Sequence, residues 1–127
     1  PLYTFSSLLG AEAVSKALAS SAETEITIKL PWGAETTLKA AYYHELPLTS
    51  PVAAAAGFGG PLQVIVGSKD TTVAPQPASG QILLNYHDGP EELLVFETDH
   101  VWDAFSGPQT LDEKMVPSAL KWFEAHP

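Results

Sequence analysis

Two short apolar runs constrain this chain more than anything else in it: Leu62-Gln63-Val64-Ile65-Val66 and Leu93-Leu94-Val95-Phe96. Each is nearly continuous rather than alternating, the pattern of a strand covered on both faces. Pro61 precedes the first run and Gly67 stops it. Between the runs, residues 76–86 predict a helix, with Pro77 suited to its first turn and Ile82, Leu83 and Tyr86 as its inner face. His87-Asp88-Gly89-Pro90 predicts a turn. Strand, helix and strand over about 35 residues make a βαβ unit, so the two strands are expected to be parallel with a right-handed crossover. The expected fold class is α/β.

The rest of the chain is organised around that unit. Residues 1–20 predict a helix after a short lead, capped by Ser6 or Ser7, with Ala11, Val14, Ala17 and Leu18 on one side. Residues 25–42 alternate: Ile26, Ile28 and Leu30 against Glu25, Thr27 and Lys29, then Thr36, Leu38, Ala40 and Tyr42 against Glu35, Thr37, Lys39 and Ala41. With Pro31-Trp32-Gly33-Ala34 between them, these runs predict an antiparallel hairpin. Residues 43–60 read as a connector with one helical turn at Val52 to Ala56. A last helix is expected near 111–125, started by a capping box at Thr110 to Glu113. Its inner side would be Leu111, Met115, Ala119 and Trp122 or Phe123, and Pro117 should kink it or divide it into a short turn and a main helix. The domain division expected is 1–60 and 61–127.

Composition narrows the function. Six lysines, no arginine and fifteen acidic residues give a net charge of −9. Phosphate-rich partners need a concentrated basic surface, so nucleic acid and anionic membrane are not expected as partners. The absence of cysteine excludes disulfides, thiolate metal sites and a cysteine nucleophile within these residues. No run reaches the roughly 18 apolar residues of a membrane span. The start, Pro1-Leu2-Tyr3-Thr4-Phe5, lacks both an initiator methionine and a basic leader, and reads as a cut.

In an open parallel sheet, ligands sit beyond the carboxyl ends of the strands. Asp70 follows the first run in Gly67-Ser68-Lys69-Asp70, and His100 follows the second in Thr98-Asp99-His100. Parallel strands put both loops on one edge, where a carboxylate can fix an imidazole tautomer and leave the other ring nitrogen as a base. The plainer alternative is an aspartate that caps its own turn and a solvated histidine. Asp99-His100-Val101-Trp102-Asp103 also suggests a metal cluster, but one histidine and two carboxylates are few ligands, and no metal is expected. Trp102 and Phe105 are candidate walls of an acyl or aryl pocket, or simply cover the end of the sheet. Trp32, with Tyr42 and Tyr43, is a candidate lid residue or core. His44 and His87 are expected in solvent, and His126 is terminal.

The ordered set Pro61 to Val73, then His100, then a terminal helix resembles the C-terminal part of an α/β-hydrolase. The resemblance covers residues 61–126. It implies that Asp70 is the acid and His100 the base of a Ser-His-Asp triad, that no cofactor is needed, and that the substrate is a small carboxylic ester. Residues 1–60 resemble the cap of esterases of the cinnamoyl or feruloyl kind. The family places its serine upstream, in Gly-x-Ser-x-Gly. No such pentapeptide is present; Ser68, Ser79 and Ser106 lack the flanking glycines and lie in or after the acid strand. The resemblance therefore implies a companion N-terminal segment carrying the nucleophile. The alternative is a hydrolase-derived module without catalysis that pairs through its open sheet edge.

Overall fold

A computed structural model describes residues 9–30, 32–107 and 109–127. The chain divides between Ser50 and Pro51 into two compact units, earlier than the expected boundary after residue 60. Its secondary structure is mixed α/β, with a small parallel sheet flanked by helices.

In the first unit, α1 (Ala11–Leu18) precedes β1 (Glu25–Lys29) and β2 (Glu35–Lys39), followed by α2 (Ala40–Glu45) and a 3-10 turn at Leu46–Leu48. The hairpin is antiparallel, with Glu25 opposite Lys39 and Lys29 opposite Glu35. Its period of two buries Ile26 and Ile28 against Ala17, Ala40 and Tyr43. The second strand was expected to run to Tyr42, but it ends at Lys39. Its partner strand begins at Glu25, and the residues before that form a turn rather than a strand. Ala40 and Ala41, poor strand formers, turn helical and donate to the carbonyls of Thr24 and Ala22. Ser6 and Ser7 lie outside the described residues; α1 starts after Gly10 with no side-chain cap.

In the second unit, α3 (Pro51–Ala56) leads to β3 (Leu62–Gly67), α4 (Ala78–Leu84) and β4 (Glu91–Phe96). A π-helical turn at Leu111–Met115 then runs into α5 (Val116–Ala125), with Pro117 in the first turn of α5. Pro117 thus divides the last helix, because it has no N–H to offer an α-helical interior. The strands β3 and β4 are parallel, with Leu62 opposite Glu91 and Gly67 opposite Phe96. Side chains alternate across the sheet. Val64, Val66 and Leu93 face α4, while Gln63 faces the other way, where its amide donates to Glu92 (2.6 Å) and reaches the Ser118 carbonyl of α5 (3.5 Å). One face is therefore covered by α4, and the other is reached by α5 at Ser118. Leu62 N donates to Pro90 O and Ser68 N to Phe96 O, so the even-numbered backbone groups of β3 face β4. By strand geometry the groups of Gln63, Ile65 and Gly67 face outward. Among the described residues, β3 has no second partner strand, and neither has β4.

The inner face of α4 matches the expected one only at Leu83, which packs on the core. Gly80 and Leu84 are buried beside it, whereas Ile82 and Tyr86 are exposed. Gly80 decides this: a Cβ there would lie 2.6 Å from Val66 Cγ1, so only the side without a side chain can approach the sheet. Along the C-terminal helical segment, Leu111, Met115, Ala119 and Trp122 are half-buried and Phe123 is exposed. Thr110 is not a capping-box residue. It already has helical dihedrals and its hydroxyl goes elsewhere, to Asp103.

Candidate functional site

The site lies past the carboxyl ends of β3 and β4. Gly67 closes β3, and a Cβ on it would stand 2.5 Å from the Thr98 carbonyl oxygen and 3.0 Å from that of Asp99. Only glycine lets the two loops approach so closely. Lys69 N then donates to Thr98 O at 3.0 Å, tying the loops by their backbones. The Lys69 ammonium pairs with Glu97 at 2.9 Å, at an exposed position where such a pair contributes little.

Asp70 and His100 meet across this junction: Asp70 Oδ2 lies 3.0 Å from His100 Nδ1. Asp70 Oδ1 accepts the backbone N–H groups of Thr72 (2.8 Å) and Val73 (2.9 Å). The aspartate thus caps its own turn with one oxygen and holds the imidazole with the other. Partial burial pushes its carboxyl up; the His100 hydrogen bond, the two backbone donors and the charge of His100 outweigh that and hold it below its ordinary value. An ionised carboxylate can only accept, so Nδ1 carries the proton and, in the neutral ring, Nε2 carries the lone pair. The Asp70 side chain is 9% exposed and that of His100 is 48% exposed. No described residue hydrogen-bonds to Nε2. The pair therefore presents an oriented, solvent-reachable base.

A cavity of about 220 Å³ opens beside the pair, walled by Ile65, Val73, Gln76 and Trp102. None of the described residues that line it is a serine. Trp102 also packs edge-on to Phe96, with ring centroids 6.1 Å apart. Phe105 does not join this wall; it is 91% exposed. Trp32 stands 65% exposed in the hairpin turn of the first unit, while every wall residue of the cavity comes from the second. Tyr43 is core of the first unit, and Tyr42 packs edge-on against it.

The loop that carries His100 is held from below. Asp99 Oδ1 accepts the N–H groups of Val101 (3.0 Å) and Asp103 (2.9 Å). Asp103 Oδ2 accepts the hydroxyls of Thr98 (2.7 Å) and Thr110 (2.8 Å), both buried. These two hydroxyls hold the Asp103 carboxyl below its ordinary value. One oxygen of each carboxylate thus anchors the loop, and the described residues contain no cluster arranged to hold a metal ion. Trp102 and Asp103 have left-handed dihedrals, φ 59° and 57°. Such residues cost about 1–3 kcal/mol each and persist where their surroundings fix them.

His44 and His87 are less solvated than expected. His87 has a fully buried side chain, with Nε2 against the Gly60 carbonyl at 2.9 Å and Phe58 alongside. His44 Nε2 meets the Ala17 carbonyl at 3.0 Å. His126 stacks on Trp122. No sequence signal marked Gln76 or Thr98 as part of the site; Gly67 read as the end of a strand and the first residue of the Gly67-Ser68-Lys69-Asp70 loop. Among the described residues, no helix is long and apolar enough to cross a membrane. Compared with family models, curated proteins and solved structures, the chain matches none.

Proposed function

We propose that this chain supplies the acid and base of a serine hydrolase acting on carboxylic esters, within the architecture of an α/β-hydrolase. The observation that carries the reading is the 3.0 Å contact between Asp70 Oδ2 and His100 Nδ1 at the carboxyl ends of two parallel strands. In the reaction, Asp70 holds the ring with Nε2 outward and stabilises the imidazolium that forms. Nε2 takes the proton from a serine hydroxyl as its oxygen attacks the ester carbonyl, then returns it to the leaving alkoxide. Water repeats the sequence and releases the acid.

The serine and the oxyanion donors come from a companion segment. Two features support this part of the reading. None of the described residues that line the cavity is a serine, and its volume of about 220 Å³ is below that of a complete small-molecule pocket. Among the described residues the outer edge of β3 also has no strand beside it and β3 carries no charged side chain, whereas β4 begins with Glu91 and Glu92 and is followed by Glu97. Charge discourages strand addition, so β3 is the edge open to a neighbour.

The test uses the assembled protein, companion included. It should hydrolyse short p-nitrophenyl esters and accept a fluorophosphonate probe on a serine of the companion, and His100→Ala should abolish both. Unchanged hydrolysis in His100→Ala would overturn the reading. A homogeneous, active protein of these 127 residues alone would overturn the companion.

A further inference from the structure

We propose that Asp103 is a positioning residue for His100: its carboxylate, clamped between the Thr98 and Thr110 hydroxyls, fixes the loop that presents the imidazole to Asp70. The inference rests on the reading of Asp70 and His100 as an acid–base pair. Three observations meet at this residue. The first is the anchorage. Thr98 ends the strand side of the loop and Thr110 opens the C-terminal helical segment, and both hydroxyls reach the same oxygen, Asp103 Oδ2, at 2.7 and 2.8 Å. Both threonines are buried, so neither hydroxyl has water as an alternative partner.

The second observation is the backbone. Asp103 and Trp102 sit in the left-handed region, and the Asp103 N–H is drawn back to Asp99 Oδ1 at 2.9 Å. The loop therefore curls back on itself between Asp99 and Asp103, the stretch that contains His100. Aspartate and asparagine tolerate this conformation better than other side chains, while tryptophan does so only when held. The third is the junction with the acid loop. Thr98 is the residue whose carbonyl accepts Lys69 N–H and lies against Gly67. Pulling Thr98 down through its hydroxyl thus sets where the histidine loop departs relative to Asp70. Asp103 touches neither His100 nor the cavity; it acts through Thr98 and the loop.

The 127-residue chain is sufficient for the test, because the readout is the Asp70–His100 hydrogen bond itself. In nitrogen-15-labelled protein, the His100 Nδ1 proton should give a strongly downfield resonance, and long-range proton–nitrogen spectra should report the Nδ1–H tautomer. Asp103→Ala should erase that resonance and mix the two tautomers, while the methyl signals of Val64, Val66 and Leu84 keep their folded positions. Asp103→Asn, whose carbonyl oxygen can still accept both hydroxyls, should restore it. Thr110→Val, nearly equal in volume, should broaden it, and decides the matter if Asp103→Ala fails to fold. A sharp, unshifted His100 resonance in Asp103→Ala, or in a folded Thr110→Val when the alanine variant is unfolded, would overturn the positioning role. Asp70→Asn separates the two ideas: absence of the resonance already in the unsubstituted protein, or its survival in Asp70→Asn, would sink the acid–base pair instead.

Discussion

Replacing Gly67 by alanine isolates the contact on which the site depends. The added Cβ would stand 2.5 Å from the Thr98 carbonyl oxygen and 3.0 Å from the Asp99 carbonyl oxygen. Both are backbone atoms, so no side-chain rotation relieves the clash. Carbon and oxygen approach to about 3.3 Å, so the loops must part by roughly 0.8 Å. The Lys69 N–Thr98 O bond, now 3.0 Å, would open to about 3.8 Å, beyond hydrogen-bond range. Overpacking costs about 1–3 kcal/mol and the lost bond about 1 kcal/mol, giving a destabilisation of about 2–4 kcal/mol. Gly59→Ala is the control: a Cβ there meets nothing within 4 Å, and the change should stay within about 0.5 kcal/mol. Urea titration followed on amide signals of β3 and β4 measures both. A Gly67→Ala loss no larger than that of Gly59→Ala would show that the loops are not in contact as described, and the juxtaposition of Asp70 with His100 would lose its structural basis.

Other substitutions probe the remaining parts. Tyr43 is buried, and its hydroxyl has no partner among the described residues; Tyr43→Phe should stabilise the first unit by about 1 kcal/mol, and a loss of stability in urea unfolding would contradict that. Gly80→Ala should destabilise despite a helix-propensity gain of about 1 kcal/mol, because its Cβ would meet Val66 Cγ1 at 2.6 Å; a higher unfolding midpoint would refute the tight packing of α4. Asp70 is held below its ordinary value when folded, so near pH 4 the unfolded chain binds more protons and stability rises with pH. Its contribution is complete above the unfolded value of about 3.9 and fades as pH falls through the folded one. The stability gap between the protein and Asp70→Asn should therefore close on acidification; a gap independent of pH would contradict the assignment.

The order of elements in the second unit was legible because buried parallel strands leave continuous apolar runs and the crossover helix leaves a 3.6-residue period. Where a tertiary partner decides the outcome, the pattern misled. Tyr42 alternates correctly for a strand, yet the strand stops at Lys39 because its neighbour begins at Glu25. Ile82 and Tyr86 have a helical spacing, yet Gly80 turns the other face of α4 inward. His87 stands in turn sequence, but its ring fills a space beside Phe58 and the Gly60 carbonyl.

The site divides in the same way, and the division has a chemical cause. Asp70 and His100 were legible because parallel strands convert an equal offset in sequence into proximity in space, whatever the loops contain. What holds them there was not legible. Thr98 and Thr110 look like ordinary polar residues, and Asp103 looked like a candidate metal ligand, since a carboxylate near a histidine reads the same whether it binds an ion or a hydroxyl. Only the partners show what this one does: Oδ2 of Asp103 takes two buried hydroxyls and its N–H goes to Asp99, so the side chain ties Thr98 and Thr110 together. Hydrogen bonds among loop side chains have no period, so composition could supply the acids but not their assignments. The Asp70 carboxylate shows why these assignments matter. With one oxygen committed to Thr72 and Val73, the other can aim at His100 without rotating away, and the turn cap becomes the device that orients the imidazole.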